Sequence, residues 1–509
     1  AGEDVSLFVE ASGLPEPAYQ WQFFGTNLPG ATTWTLTLRN VRSSAAGDYT
    51  VIVSNSLNSI VSVPIALSVI APSRTAGSPD ISFYTGLGPN DRVNAVAVQP
   101  DRKIIIGGAF TEVSGLSRNR IARLLYDGAV DPSFDPGAGA NGVILALAIQ
   151  ADGKILAAGS FTNFNHLARN RIVRLQSNGV VDPAFNPVPG PDGDIFAVAF
   201  QPNGQVLIGG TFTEVDGQAR GLARLNTNGT LDTAFVPALL GFVNALKLRP
   251  DGKIIAGGSF YSGTNATQFN VARLLPNGSL DPSFVSFGAN GTVFALDFAS
   301  SNRLALGGEF FTLNGAPRTR VGRLEESGAA DLTFTNAGVN GLVSALSVEP
   351  DDKIVIGGQF RTIGNFPYVG LVGRNRLARM NKDGSVDLSF ASGAGVQGGS
   401  SYIDEYGSLS ELATVLALAR EADGKILVGG DFTTVNEIAR PYIARVFGRE
   451  ASAAVAVHKG QGNVELIWDT GILQVANQIT GPWTDLPNAQ SPLLYPTGGA
   501  QQFFRLKFN

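Results

Sequence analysis

A four-residue phrase, Asp80-Ile81-Ser82-Phe83, returns along most of the chain and limits its fold more than any other feature. It recurs as Asp131-Pro132-Ser133-Phe134, Asp182-Pro183-Ala184-Phe185, Asp232-Thr233-Ala234-Phe235, Asp281-Pro282-Ser283-Phe284, Asp331-Leu332-Thr333-Phe334 and Asp387-Leu388-Ser389-Phe390. Successive aspartates are 51, 51, 50, 49, 50 and 56 residues apart. A period near fifty marks a repeat architecture, in which each unit buries its apolar face against its neighbours.

The unit from Val93 to Phe134 shows the pattern most clearly. Val93–Val98 reads as a first strand, Pro100-Asp101-Arg102-Lys103 as a tight turn, and Ile104–Gly108 as a second strand. After a polar loop, Ile121–Leu125 reads as a third strand, and Tyr126-Asp127-Gly128 turns the chain into a fourth that ends at Phe134. Four short antiparallel strands per unit predict a propeller blade. Two further series hold the same register. Gly108, Gly159, Gly210, Gly258, Gly308, Gly358 and Gly430 each stand two residues before a phenylalanine, and Arg123, Arg174, Arg224, Arg273, Arg323, Arg379 and Arg445 mark the third strands. Seven of each predict seven blades. The seventh unit stops after its third strand, at Ile443–Gly448, while Asp80–Phe83 has no unit before it. The economical expectation is that Asp80–Phe83 completes the last blade and closes the ring, leaving no exposed edge.

These phrases resemble the delta-60 repeat family of bacterial propellers, over residues 80–448. The resemblance implies a large secreted or cell-surface bacterial protein and says more about architecture than about biochemistry.

Composition narrows the function classes. Glycine is abundant (62) and charged residues are few (16%), the profile of an all-β chain and not of a disordered one. Net charge is −5 and no Lys/Arg run occurs, so a nucleic-acid partner is not expected. No apolar run approaches the ~18 residues of a membrane span. There is no cysteine, and the only histidines are His166 and His458, so a zinc site or histidine-based triad has little to be built from. The single methionine is Met380, so residue 1 is not a translation start and an upstream segment is expected to have been removed.

Ahead of the repeats, Val5–Val9 alternates as a strand, Trp21 sits in Tyr19-Gln20-Trp21-Gln22, Leu36 and Leu38 fit an inward-facing strand, and Ala46-Gly47-Asp48-Tyr49 precedes Thr50-Val51. Residues 1–70 thus resemble an immunoglobulin-like β-sandwich with its core tryptophan and tyrosine corner. The resemblance implies that Val9 and Val51 replace the disulfide pair. It also implies that the usual first strand is missing, which would leave an edge that another chain's strand could fill; the bland alternative is that the fragment is simply cut there. Residues 71–79 read as a Pro/Gly/Ser linker, and residues 449–509 as a small C-terminal β-domain that at about sixty residues has a marginal core of its own.

The repeated Arg, Asp and Gly-x-Phe residues read as structure: charge-assisted contacts within each blade, and close approach of blades around a wedged ring. Ala95 and its counterparts suit the crowding near the axis. Function is expected where the repeat breaks. Lys247 and Asp297 stand where three other blades have Ala97, Ala148 and Ala199, as a local ion pair or a channel ligand. Insertions at Arg361–Arg376 (with Phe366 and Tyr368) and Ala391–Leu412 (with Tyr402, Asp404, Glu405, Tyr406 and Glu411) lengthen loops around blades 6 and 7. Aromatics beside carboxylates suit sugar stacking or a protein contact, and two carboxylates also suit glycoside cleavage, while a plain solvated loop is the bland alternative. The candidate ligand-binding residues are Tyr368, Tyr402, Asp404, Glu405 and Tyr406. No catalytic or metal residue and no cofactor is expected; calcium is the one alternative, since Asp192-Gly193-Asp194 and Asp383-Gly384 look like calcium loops without the full ligand spacing.

The chain is therefore expected to be all-β: a seven-bladed propeller flanked by an immunoglobulin-like sandwich and a small C-terminal β-domain. The functional expectation is a non-enzymatic secreted or cell-surface protein acting through protein contacts, including copies of itself linked into a fibre by strand addition. The rival is a carbohydrate-binding or carbohydrate-cleaving propeller directed at a surface glycan.

Overall fold

A computed structural model describes residues 5–39, 41, 43–69, 75–219, 221–262, 268–335, 338–365, 369–390, 392–403, 409–411, 413–448, 456–459, 463–467, 472–477, 482–486, 493–496 and 503–507. Among these there is no α-helix, and strands dominate throughout.

Seven blades follow one another around an axis. Blade 1 is an antiparallel sheet of Val93–Val98, Ile104–Gly108 and Ile121–Leu124, and blade 7 repeats it with Thr414–Arg420, Ile426–Asp431 and Ile443–Val446. Each first strand borders the first strand of the next blade, and that of blade 7 borders that of blade 1, so the ring is closed. The reason these segments are strands is visible in their burial. Ile104, Ile105 and Ile106 are all fully buried, because both faces of a blade's middle strand are covered by neighbouring blades. The cores are accordingly interfaces: Ile105 and Ile121 of blade 1 pack with Ile144, Ile155 and Phe161 of blade 2.

Three local expectations are corrected. The fourth strand is reduced to a single bridge in each blade, such as Leu124 with Val130, and Pro79 with Val446 in blade 7. The Asp-x-Ser-Phe phrase is a turn because its aspartate captures the backbone two residues on: Ser133 donates both its amide (2.9 Å) and its hydroxyl (2.7 Å) to Asp131 Oδ1. An amide held this way cannot join a ladder. The polar loop after strand two contains a small hairpin, Glu112–Val113 with Leu116–Ser117 in blade 1, and five other blades carry its equivalent. The two glycines of each Gly-Gly pair also divide their work. A β-carbon on Gly107 would meet Ile144 of the next blade at 2.5 Å, so this glycine permits blade contact. One on Gly108 would meet the Arg92 carbonyl oxygen of its own blade at 2.1 Å, at the bulge between Val93 and Ala95.

In the immunoglobulin-like part, Ala18–Phe23 pairs with Gly47–Ser54, and Val5–Phe8 pairs with Thr35–Leu38. Trp21, Leu36, Tyr49 and Val51 form its core with Val9 packed against them, and the Tyr49 hydroxyl donates to the Ala45 carbonyl at 2.9 Å. The C-terminal region holds two three-stranded antiparallel sheets, one on Asn463–Ile467 and one on Ile472–Ala476.

Candidate functional site

Antiparallel order dictates where irregularity can gather. The connections between strands two and three, and between one blade and the next, emerge on one face of the disc; the tight turns emerge on the other. Both insertions lie on the first face. The blade 6 insertion forms a hairpin of Thr362–Asn365 with Val369–Gly373. The connection into blade 7 forms another, Ser401–Ile403 with Leu409–Glu411, in which Tyr402 stands opposite Ser410. Tyr368, Asp404, Glu405 and Tyr406 lie outside the described residues, and of Tyr402 only the backbone is described.

The repeated charged residues are consumed by structure. Every third-strand arginine donates Nε to the aspartate of its phrase, from Arg123–Asp131 at 2.8 Å to Arg445–Asp80 at 2.8 Å. Each guanidinium also lies over the phenylalanine of that phrase, 4.6–5.0 Å from the ring centre. Six of the seven reach further, donating to a backbone carbonyl of the following segment, as Arg174 does to Thr227 (2.8 Å) and Arg445 to Tyr126 (2.6 Å). The arginine therefore clamps neighbouring blades as well as its own. Burial alone would push the Asp131 carboxyl up, but Ser133, Lys103 and Arg123 together hold it well below the usual range.

Lys247 and Asp297 meet at 2.9 Å as a local ion pair. The Asp192 carboxylate, in the connection into blade 3, is taken by the Thr213 amide (2.8 Å) and hydroxyl (2.7 Å) and the Glu214 amide (3.0 Å) of the loop after strand two. Among the described residues no group of three or more His, Asp or Glu is placed to hold a metal ion.

The closing seam is the most highly charged interior. Asp423 accepts from Arg102 (2.6 Å) and the Tyr126 hydroxyl (2.7 Å), and Lys425 reaches both that hydroxyl (2.9 Å) and Asp80 (3.1 Å). Glu421 lies beneath them, with Arg445 3.6 Å away and neither carboxyl oxygen hydrogen-bonded. Burial pushes its pKa up to about 7, against the pull of Arg445 and with a further push from Asp423.

A region that the sequence reading passed over lies on the same face as the insertions. Among the described residues, blade 4 has no separate two-residue hairpin after strand two. Its strands run on instead, Leu239–Leu248 against Ile254–Ser262, with Phe269 opposite Tyr261. The residue that caps the hairpin elsewhere is different here. In five blades an Asn or Asp three residues before the first-strand Val or Ile caps the hairpin; Asn90 Oδ1 accepts from the amides of Thr111 (2.8 Å) and Glu112 (3.1 Å), and Asn141, Asp192, Asn290 and Asn340 do likewise. Blade 4 has Leu240 there, which accepts nothing, and its connection from Phe235 to Val243 is two residues shorter than Phe83 to Val93. Blade 7 also lacks the acceptor, at Leu412, but keeps its hairpin, so the missing acceptor accompanies the run-on strands and does not account for them alone. That substitution, with Tyr261 following Phe260, was the available signal.

The DUF5122 β-propeller, a domain of unknown function, matches residues 99–134, 150–185, 201–235, 249–284, 299–334, 349–390 and 421–447, and an immunoglobulin domain matches residues 1–55. No curated protein matches the chain. The solved structure of rhamnogalacturonan lyase YesW is similar at 11% identity over 85% of each chain with a TM-score of 0.29, a likeness that carries no argument. With one matched segment in each of its seven blades, the ring is a β-propeller of the DUF5122 family, and it follows an immunoglobulin domain in the same chain.

Proposed function

We propose that the chain is a non-enzymatic structural or adhesive protein, secreted or displayed at the cell surface, that acts through protein–protein contacts and assembles by strand addition at its immunoglobulin-like domain. One observation carries the reading. Val5–Phe8 and Thr35–Leu38 form a sheet of only two strands among the described residues, so Val5–Phe8 has a strand neighbour on one side alone. An unpaired edge of this kind templates an incoming strand, with main-chain hydrogen bonds supplying affinity and side-chain pockets supplying choice. Phe8, more than half exposed, lies on that edge strand and offers apolar surface to whatever adds there. The ring suits a spacer, since its recurrent charges are matched internally.

Electron microscopy of the native protein, alongside its mass in solution, tests the reading. Regular filaments or discrete oligomers that disappear in Phe8→Lys, a charge placed at the edge, are the expected result. Uniform monomers at micromolar concentration, indistinguishable from Phe8→Lys, would overturn it.

A further inference from the structure

The extended strands of blade 4 raise a two-sided sheet above the face of the ring, and its sides differ. Leu239, Val243, Phe260 and Ser262 are buried, the apolar ones against blade 3 residues such as Leu207 and Leu222. The alternating residues of the other side are open: Leu240 is 56% exposed, Phe242 45%, Tyr261 45% and Phe269 44%. Leu240, Tyr261 and Phe269 stand directly opposite one another on the three strands, so their side chains form one row, with Phe242 two residues along. Phe287, also exposed, adjoins Gly288, which bridges Phe269. No side chain in the row is charged.

We propose that this aromatic row is a binding platform for a neutral polysaccharide, whose pyranose rings stack their C–H faces on Tyr261, Phe269 and Phe242. This goes beyond the assembly reading and does not depend on it. Three considerations select the occupant. Half-exposed rings of this number present on the order of 500 Å², short of the ~800 Å² per partner that a stable protein interface buries but ample for two or three sugar rings. An uncharged platform on a chain of net charge −5 disfavours an anionic polymer and leaves a neutral ligand unopposed. Finally, the rings project from paired strands, so they are held in place before any ligand arrives, with little ordering left to oppose binding.

Affinity electrophoresis of the full chain through gels containing soluble β-glucan, xyloglucan or mannan tests the proposal. The expected result is retardation by at least one of the three, unchanged by 0.5 M salt because no ion pair is involved (about a 4 Å screening length or less). Tyr261→Ala with Phe269→Ala should weaken it tenfold or more, Tyr261→Trp should preserve it, and Phe8→Lys should leave it untouched. Retention of the wild-type unfolding midpoint shows that the double variant folds; should it not fold, Phe242→Ser carries the same expectation. Failure of all three polysaccharides to retard the protein would overturn the proposal. So would equal retardation of the double variant, or a change in its mass in solution without any polysaccharide effect, which would assign the row to a protein contact.

Discussion

The seam between blades 7 and 1 follows the same plan as the other six, yet its interior is of another kind. Elsewhere the Arg–Asp clamp joins residues eight apart in one stretch of chain, as in Arg224–Asp232. At the closing seam it joins Arg445 to Asp80, 365 residues away. In blades 1, 2 and 3 the position after the first strand is glutamine, at Gln99, Gln150 and Gln201; in blades 6 and 7 it is glutamate, Glu349 and Glu421, of which Glu421 is the more deeply buried. Blade 1 adds two residues found in no other blade at these positions. Arg102 takes up a left-handed backbone (φ 66°) where Gly153, Gly204, Gly252 and Gly424 do so elsewhere, and Tyr126 lies between Arg102 and Arg445, 4.0 and 4.1 Å from its ring centre. A contact made by distant parts of the chain must overcome a larger loop-closure entropy than a local one. The closing seam meets this with a connected set of buried ions, and such sets are costly to break.

The sharpest way to break the comparison is Arg445→Ala beside Arg224→Ala. Loss of Arg445 leaves Asp80 and Glu421 buried with Lys425 as the nearest remaining cation, and breaking a buried network in this way costs about 3–5 kcal/mol. Arg224 and Asp232 are each partly open to water, so its loss should cost about 1–2 kcal/mol. Urea unfolding of the two full-length variants measures the difference. Equal losses would mean that the seams are energetically alike.

Glu421 sharpens the comparison through pH. Its folded pKa of about 7 lies above the ordinary 4.5, so the folded protein holds this proton more tightly than the unfolded chain. Stability attached to it is therefore fully present below about pH 4.5 and declines as pH rises to about 7, by on the order of 2–3 kcal/mol. Asp80 acts in the opposite sense. Burial would raise its pKa, but Arg445, Lys425 and Ser82 depress it, so its contribution is present above the ordinary aspartate range and is lost as pH falls. Glu421→Gln, neutral at every pH, should unfold at higher urea than the parent at pH 8 and match it near pH 4.5. A constant offset across that range would show that Glu421 does not carry the proton.

Much of this ring was legible because repetition turns weak local signals into strong ones. One Asp-x-Ser-Phe is an unremarkable turn; several at a fixed period, in register with Gly-x-Phe and a third-strand arginine, imply blades. What the phrase does was less legible. Its aspartate looked like the start of a strand, but Oδ1 caps the following serine while Oδ2 takes the arginine, and both bonds require a turn. The two glycines of Gly107-Gly108 were inseparable by sequence, since only the bulge at Val93 and Ala95 sets one against its own blade and the other against the next. Ala158 stands where Gly107, Gly209, Gly257 and Gly307 stand, which fits the side chain-facing glycine being the replaceable one. The exposed row of blade 4 was not legible as an insertion. There nothing is inserted, and the exposed row comes from single replacements such as Leu240 and Tyr261 in a connection of ordinary or shorter length. Of the candidate residues in the two insertions, the structure describes the backbone of Tyr402 alone.

The smallest expected effect concerns the axis, where Lys247 and Asp297 replace the alanines of other blades. The pair links blades 4 and 5, but the Lys247 side chain is 42% exposed, and exposed pairs contribute about 0–1 kcal/mol. Asp297 does more. Its second oxygen accepts the Val348 amide of blade 6 at 2.9 Å, so one carboxylate ties three consecutive blades near the axis. The partners should therefore be unequal. Lys247→Ala should lower stability by about 0.5 kcal/mol and lose that effect in 0.5 M salt, whereas Asp297→Ala should cost about 1–2 kcal/mol through the amide left without its acceptor. Asp297→Asn separates charge from hydrogen bonding: retaining most of the stability would place the contribution in the backbone bond, and a loss equal to Asp297→Ala would place it in the ion pair.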